Sequence, residues 1–246
     1  MTVHVPEQDG TAQQPVPGDG ADRPGRLLPG WGKVLVVVAH PDDESFGLGA
    51  IISQMTATGA AVRILCYTHG EASRLNENRA DLDTEREAEL RHASTQLAAT
   101  SVTLLGYPDG GLAAIEPTAL AAHPVELIAR HRPDGLLVFD DTGVTSHPDH
   151  QAATRAAVLA ARAAGLPVLA WALPTAIADR LRAETGQPFT GQPPDRLDLC
   201  VRVDRTRQRR AALAHASQIS PSAVLWRRLQ LQGDCEHLRW LLPPPA

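Results

Sequence analysis

Two short segments concentrate imidazoles and carboxylates. The first, His40-Pro41-Asp42-Asp43-Glu44, ends the apolar run VLVVVA; the second, His147-Pro148-Asp149-His150, comes shortly after the apolar run DGLLVFD. One His and one Asp from the first segment and one His from the second would make a three-ligand metal site. Three protein ligands and an open position are what a catalytic zinc needs, whereas a structural zinc is closed by four. Taken singly, PDD is a turn signal and HPDH an Asp-rich helix start; their joint occurrence after two apolar strands favours a metal site. Two imidazoles and a carboxylate also suit non-haem Fe(II), but those oxygenases usually sit on all-β barrels, unlike the pattern here. The second Asp of the first segment then has a role. A metal that lowers the pKa of water from about 15.7 to about 7 supplies roughly 12 kcal/mol of proton affinity. A positioned carboxylate that takes the proton adds a further ~10²–10⁴-fold. His147 and His150 lie three apart at a helix start, so both can face one site. The imidazole that is not a ligand can stabilise an oxyanion or protonate a leaving amine.

These segments need elements that bring them together. Short runs rich in Val, Ile and Leu predict strands over 33–39, 61–68, 101–106, 134–140 and 167–172. Between them, ESFGLGAIISQMTATG, DTEREAELRHASTQLAAT, PTALAAHPVELIARH and PDHQAATRAAVLAARAAG have helical spacing, and Gly59 and Gly165 end two of them. A further strand is predicted over 197–204 and a helix over 205–218. Strand alternating with helix implies a single α/β domain, Rossmann-like: a doubly wound, mostly parallel sheet with helices on both faces. Ligands of such sheets sit beyond the carboxyl ends of the strands, where both segments fall. Helix starts there favour carboxylates.

The remaining chain bounds the function. The net charge of −5 is interspersed, and the longest basic run is Arg209-Arg210 flanked by Arg207, so no nucleic-acid partner is expected. No apolar stretch approaches the ~20 residues of a membrane span. Residues 1–30 are rich in Pro, Gly, Asp and Gln and read as a disordered tail, not a secretory signal; the domain is expected over 31–242. Cys66, Cys200 and Cys235 are odd in number, which argues against a disulfide framework; Cys66 and Cys200 read as core residues, and a cytoplasmic, reducing location follows. His69 and Glu71 follow a strand towards the crevice, and the polar stretch 73–83 reads equally as a lid or a solvated loop. Trp171, Trp226 and Trp240 are expected to pack, and Trp31 to anchor the first strand.

The pattern AHPDDE, then TEREAEL…LGYPDGGL, then HPDH and RRAALAHASQ resembles the zinc-dependent N-acetylglucosaminyl deacetylases of the PIG-L/LmbE type over roughly residues 33–220. The resemblance implies one zinc per chain (Fe²⁺ being the alternative divalent cation) on His40, Asp43 and His150. It implies Asp42 as general base, His147 as acid or oxyanion partner, Asp149 orienting His147, and Glu44 in support. Arg86 and Asp109 align with sugar-contacting positions. His215 and Gln218 match the closing HxSQ signature in a mostly structural role, with Arg209 or Arg210 where the family has Lys. The substrate implied is a small N-acetylated amino sugar, and a homo-oligomer is compatible with the pattern. The alternatives are an amidase for a larger acyl or thiol conjugate, and a non-catalytic metal- or sugar-binding paralogue.

Overall fold

The structure, a computed structural model, describes residues 27–73, 75, 81–220 and 223–245. Most of the tail expected over 1–30 and most of the segment 73–83 lie outside the described residues. Five strands are parallel: β1 (Lys33–Val38), β2 (Ala61–Thr68), β3 (Ser101–Tyr107), β4 (Gly135–Phe139) and β5 (Val168–Ala172). Two more are antiparallel: β6 (Leu199–Arg202) and β7 (Cys235–Leu242), in the order β3-β2-β1-β4-β5-β7-β6. The five parallel strands match their sequence expectations to within a residue or two at each end. The strand CEHLRWLL of β7 lies outside the expected elements; it pairs antiparallel with both β5 and β6, a long-range pairing with no local turn signal.

Helices cover both faces. They are α1 (Asp43–Phe46), α2 (Gly49–Ala57), α3 (Leu82–Gln96), α4 (Pro117–His131), α5 (Pro148–Ala164), α6 (Thr175–Thr185), α7 (Thr206–Ala214) and α8 (Val224–Gln232). The periodicity of 44–59 suggests one helix; the structure breaks it between α1 and α2. A Cβ on Gly47 would stand 2.3 Å from the Phe139 ring, so the backbone at the break lies directly against that ring, an approach open only to glycine. Gly165 ends α5 with φ +67°, the left-handed cap expected of it.

One side of the sheet packs Val34, Val36, Val38 and Ile64 against Ile51, Ile52 and Leu90. The other packs Leu35, Val37, Leu136 and Val138 against the alanines of α5, Ala152, Ala153, Ala156, Ala157 and Ala161. Small residues every three or four positions let α5 lie close to the sheet. That fixes where its first turn, with His147 to His150, stands relative to β1 and β4. Those two strands are neighbours whose following helices go to opposite sides, so the crevice of the topological switch opens between them.

Cys66 is buried in this core, but Cys200 and Cys235 are joined by a disulfide across the β6–β7 pair. This corrects the expectation of unpaired thiols and a buried Cys200, which is exposed on the edge strand. Strand pairing brings together residues 35 apart, which cysteine counting does not reveal. The ground for a reducing compartment falls with it. Among the described residues no helix is long and apolar enough to cross a membrane.

Candidate active site

The turn after β1 is built by its own side chains. Asp43 Oδ2 accepts from the backbone N–H groups of Ala39 (3.1 Å) and His40 (2.9 Å). Asp42, just before α1, has φ +107°. A non-glycine residue there is strained at on the order of 1–3 kcal/mol, and Val144 (φ +60°) and Ser146 (φ +57°) add strain in the loop leading to the second segment. Such strain persists only where the surroundings over-determine it. Here Glu44, fully buried, accepts from the Asp42 N–H at 3.0 Å and from Ser45, and lies 2.7 Å from His215 Nε2. Burial opposes a charge on His215, yet the Glu44 carboxylate raises it above the ordinary histidine range.

The second segment caps α5. His147 Nδ1 accepts from the N–H of Asp149 at 3.2 Å, Pro148 takes the first helical position, and His150 follows one turn in. The neutral His147 ring therefore carries its proton on Nε2. Burial, then His40 and His150, lower its pKa below the usual value, which favours the neutral ring over the cation.

The two segments meet. His40 Nδ1 lies 3.2 Å from His150 Nε2 and 3.6 Å from Asp43 Oδ2, and His150 Nε2 lies 3.1 Å from Asp43 Oδ1. An ion with ligands at ~2.0–2.1 Å in tetrahedral array separates its ligand atoms by about 3.3 Å, and the edges of this residue triangle, in which each imidazole meets a different Asp43 oxygen, are of that size. The rings are oriented for it. His150 Nδ1 stands 3.0 Å from Gly143 O, which can take its proton, leaving Nε2 free. His40 Nε2 stands 3.0 Å from Asp109 Oδ1 and 3.3 Å from Asp149 Oδ2, which leaves Nδ1 free. Metal-binding histidines have such outer partners as a rule. The surroundings are also short of positive charge. Burial disfavours a cationic His40, but Asp109, Asp149 and Asp43 push its pKa up to about 10. Asp43 is buried, yet His150 and His40 hold it well below the carboxylate range. The donor set therefore fits a divalent cation. The nitrogens of His40, His147 and His150 also gather within 4.8 Å of one another, but the Asp149 N–H already occupies His147 Nδ1.

The other expected residues fall around this triangle with some changes. Asp42 is close by, and Arg86 Nη2 holds its Oδ2 at 3.0 Å. Burial raises Asp42 to about 6, against the Arg86 charge. Arg86 is buried, also donates to the carbonyls of Gly70 and Pro41, and so positions Asp42. Asp149 turns its carboxylate to His40 and to the N–H groups of Gly110 (2.8 Å) and Leu112 (3.0 Å), not to the His147 ring. Asp109 likewise faces His40, with its Oδ2 accepting from Ala72 at 3.0 Å. Gln218 lines the crevice and accepts from Ser73 at 2.7 Å. Glu71 accepts from the Asp109 N–H at 2.9 Å, and His69 lies 3.4 Å from Asp83 O, away from the crevice lining.

The crevice has a volume of about 680 Å³, within the usual range of small-ligand sites. Sequence reasoning missed its apolar wall, formed by Phe46, Phe139, Val144, Phe189 and Leu225. Trp171, expected only to pack, is buried and lines it as well. No motif marks these residues, because they arrive from separate strands, loops and helices.

The sequence model of the PIG-L family, described as GlcNAc-PI de-N-acetylase, matches residues 35–161. The 1D-myo-inositol 2-acetamido-2-deoxy-alpha-D-glucopyranoside deacetylase of Salinispora arenicola is 32% identical over 79% of this chain and 78% of its own length. A conserved protein of Thermus thermophilus superposes with a TM-score of 0.62 at 26% identity, over 88% of this chain and 96% of its own. The N,N'-diacetylchitobiose deacetylase of Pyrococcus horikoshii shares the fold, with a TM-score of 0.63 at 19% identity over 86% and 84% of the two chains. With more than half of the chain matched by the family model and a relative covered over most of its length, the chain belongs to the PIG-L family and thereby to its deacetylases, hydrolases of N-acetyl amide bonds.

Proposed function

We propose that this protein removes the acetyl group from an N-acetylated amino sugar of the N-acetylglucosamine type, with a zinc ion on His40, Asp43 and His150. The observation that carries the reading is the triangle of His40 Nδ1, Asp43 and His150 Nε2, at separations of 3.1–3.6 Å, with Asp42 and His147 beside it. When bound, zinc supplies a Lewis acid that polarises an amide carbonyl and makes water acidic enough to react near neutral pH. Asp42, held by Arg86, takes the proton of the attacking water. Its pKa of about 6 suits a base near neutrality. His147 presents Nε2–H to the oxygen on which charge develops, and the proton that Asp42 took from the water passes to the departing amine as the C–N bond breaks. Asp109 and Asp149 keep His40 oriented through Nε2. The similarity to a glucopyranoside deacetylase supports the sugar.

Acetate release from N-acetylglucosaminyl-inositol by the purified chain, with and without a chelator, tests this. Turnover abolished by chelator and restored by zinc is expected; turnover unaffected by metal removal contradicts the ligand assignment. The apolar wall of Phe46, Phe139, Trp171, Phe189 and Leu225 favours a second reading, an amidase for a longer acyl group. Preference for N-octanoyl over N-acetyl glucosamine in the same assay selects it.

A further inference from the structure

Arg228 also lines the crevice. It projects from α8 and is only 4% exposed. Its guanidinium carbon sits 4.7 Å above the Trp171 ring, and its Nη2 donates to the carbonyl of Phe46. Its Nη1 is buried and has no hydrogen-bond partner among the described residues. The nearby buried carboxylate, Glu236, is committed elsewhere. Its Oε1 takes Arg205, and its Oε2 accepts from Trp171 Nε1 (2.6 Å) and Gln232 Nε2 (2.8 Å). One carboxylate thus faces two buried guanidinium groups and bonds to one of them. Burial lowers Arg228 to about 10, with Glu236 opposing and Arg205 adding to the shift; it stays a cation near neutrality. A buried cation without an anion is costly, and an open N–H on a planar guanidinium suits an oxyanion.

The place of this cation matters. His150 touches Phe139 at 4.9 Å between ring centroids, Phe139 touches Trp171 at 5.4 Å, and Arg228 lies over Trp171. Two aromatic rings therefore lead from the metal ligands to the guanidinium. We propose that Arg228 is a substrate-recognition residue that binds an oxyanion, a carboxylate or phosphate, carried at the end of an apolar portion of the substrate lying along Phe139 and Trp171. This inference rests on the deacetylase reading only in taking the crevice as the substrate's place. None of the sequence motifs includes Arg228.

Calorimetric titration of the zinc-loaded full-length chain with hexanoate, hexyl phosphate and 1-hexanol tests it, in the wild type and in Arg228→Met and Arg228→Lys. At least tenfold weaker binding of one or both anions to Arg228→Met, with hexanol binding unchanged, is expected, and the anion affected identifies the head group. Equal affinity of both anions for wild type and Arg228→Met, or no anion binding to the wild type, overturns the proposal; an anion held by the metal alone gives the first of these. If Arg228→Met does not fold, Arg228→Lys decides. Lysine keeps the charge but not the planar fork, so weaker anion binding supports the proposal and unchanged binding overturns it. Acetate release is scored separately. Lost Arg228 dependence with intact acetate release sinks only this inference, and intact dependence without acetate release sinks only the deacetylase reading.

Discussion

Replacing Asp42 by Asn separates the base from the ligands. Asp42 occupies a left-handed backbone position, φ +107°, and Asn tolerates that region as Asp does. The substitution preserves volume, and its amide oxygen can still accept from Arg86 Nη2, now at 3.0 Å from Asp42 Oδ2. The triangle uses Asp43, whose oxygens lie 3.6 Å from His40 and 3.1 Å from His150, so metal affinity should hold. What is lost is the proton acceptor. General-base catalysis is worth about 10²–10⁴-fold, which corresponds to about 2.7–5.5 kcal/mol in the activation barrier. The expected result is a fall of that size in kcat, with metal content near one per chain by elemental analysis and an unchanged melting temperature. The comparison is His40→Ala, which should lose the metal. A kcat within tenfold of wild type removes Asp42 from the base role. Equal metal loss in Asp42→Asn and His40→Ala refutes the division of roles between the adjacent aspartates.

The base must be ionised to act, so kcat/KM should decline as pH falls through the Asp42 pKa of about 6. A cation bound nearby draws this limb lower, and a limb centred well above that value in a pH–rate profile speaks against Asp42. Gly47→Ala should destabilise by about 1–3 kcal/mol through overpacking, since its Cβ meets Phe139 at 2.3 Å. Urea unfolding within about 0.5 kcal/mol of wild type, the scatter of neutral surface changes, contradicts the close approach. Thiol titration of denatured, unreduced protein should find Cys66 alone, and reduction should lower stability by about 2–4 kcal/mol for a loop of this length. Three titrating thiols dismiss the β6–β7 bridge.

The sequence by itself determined the elements with local causes. Apolar runs alternating with helical spacing set β1 to β5 and α3 to α5 because side-chain periodicity is a property of neighbouring residues. Turn chemistry likewise marked His40 to Glu44 and His147 to His150 as ends of apolar strands, and so as residents of one sheet edge. Only the tertiary structure decided their partners. His40 and His150 are 110 residues apart, and their 3.2 Å separation depends on how closely α5 lies on the sheet. The same packing turns Asp149 and Asp109 to His40 and commits Arg86 to Asp42. β7, the Cys200–Cys235 bond and the Arg228–Trp171 stack join segments with no shared local signal. They arise from burial and strand pairing, which act between residues distant along the chain.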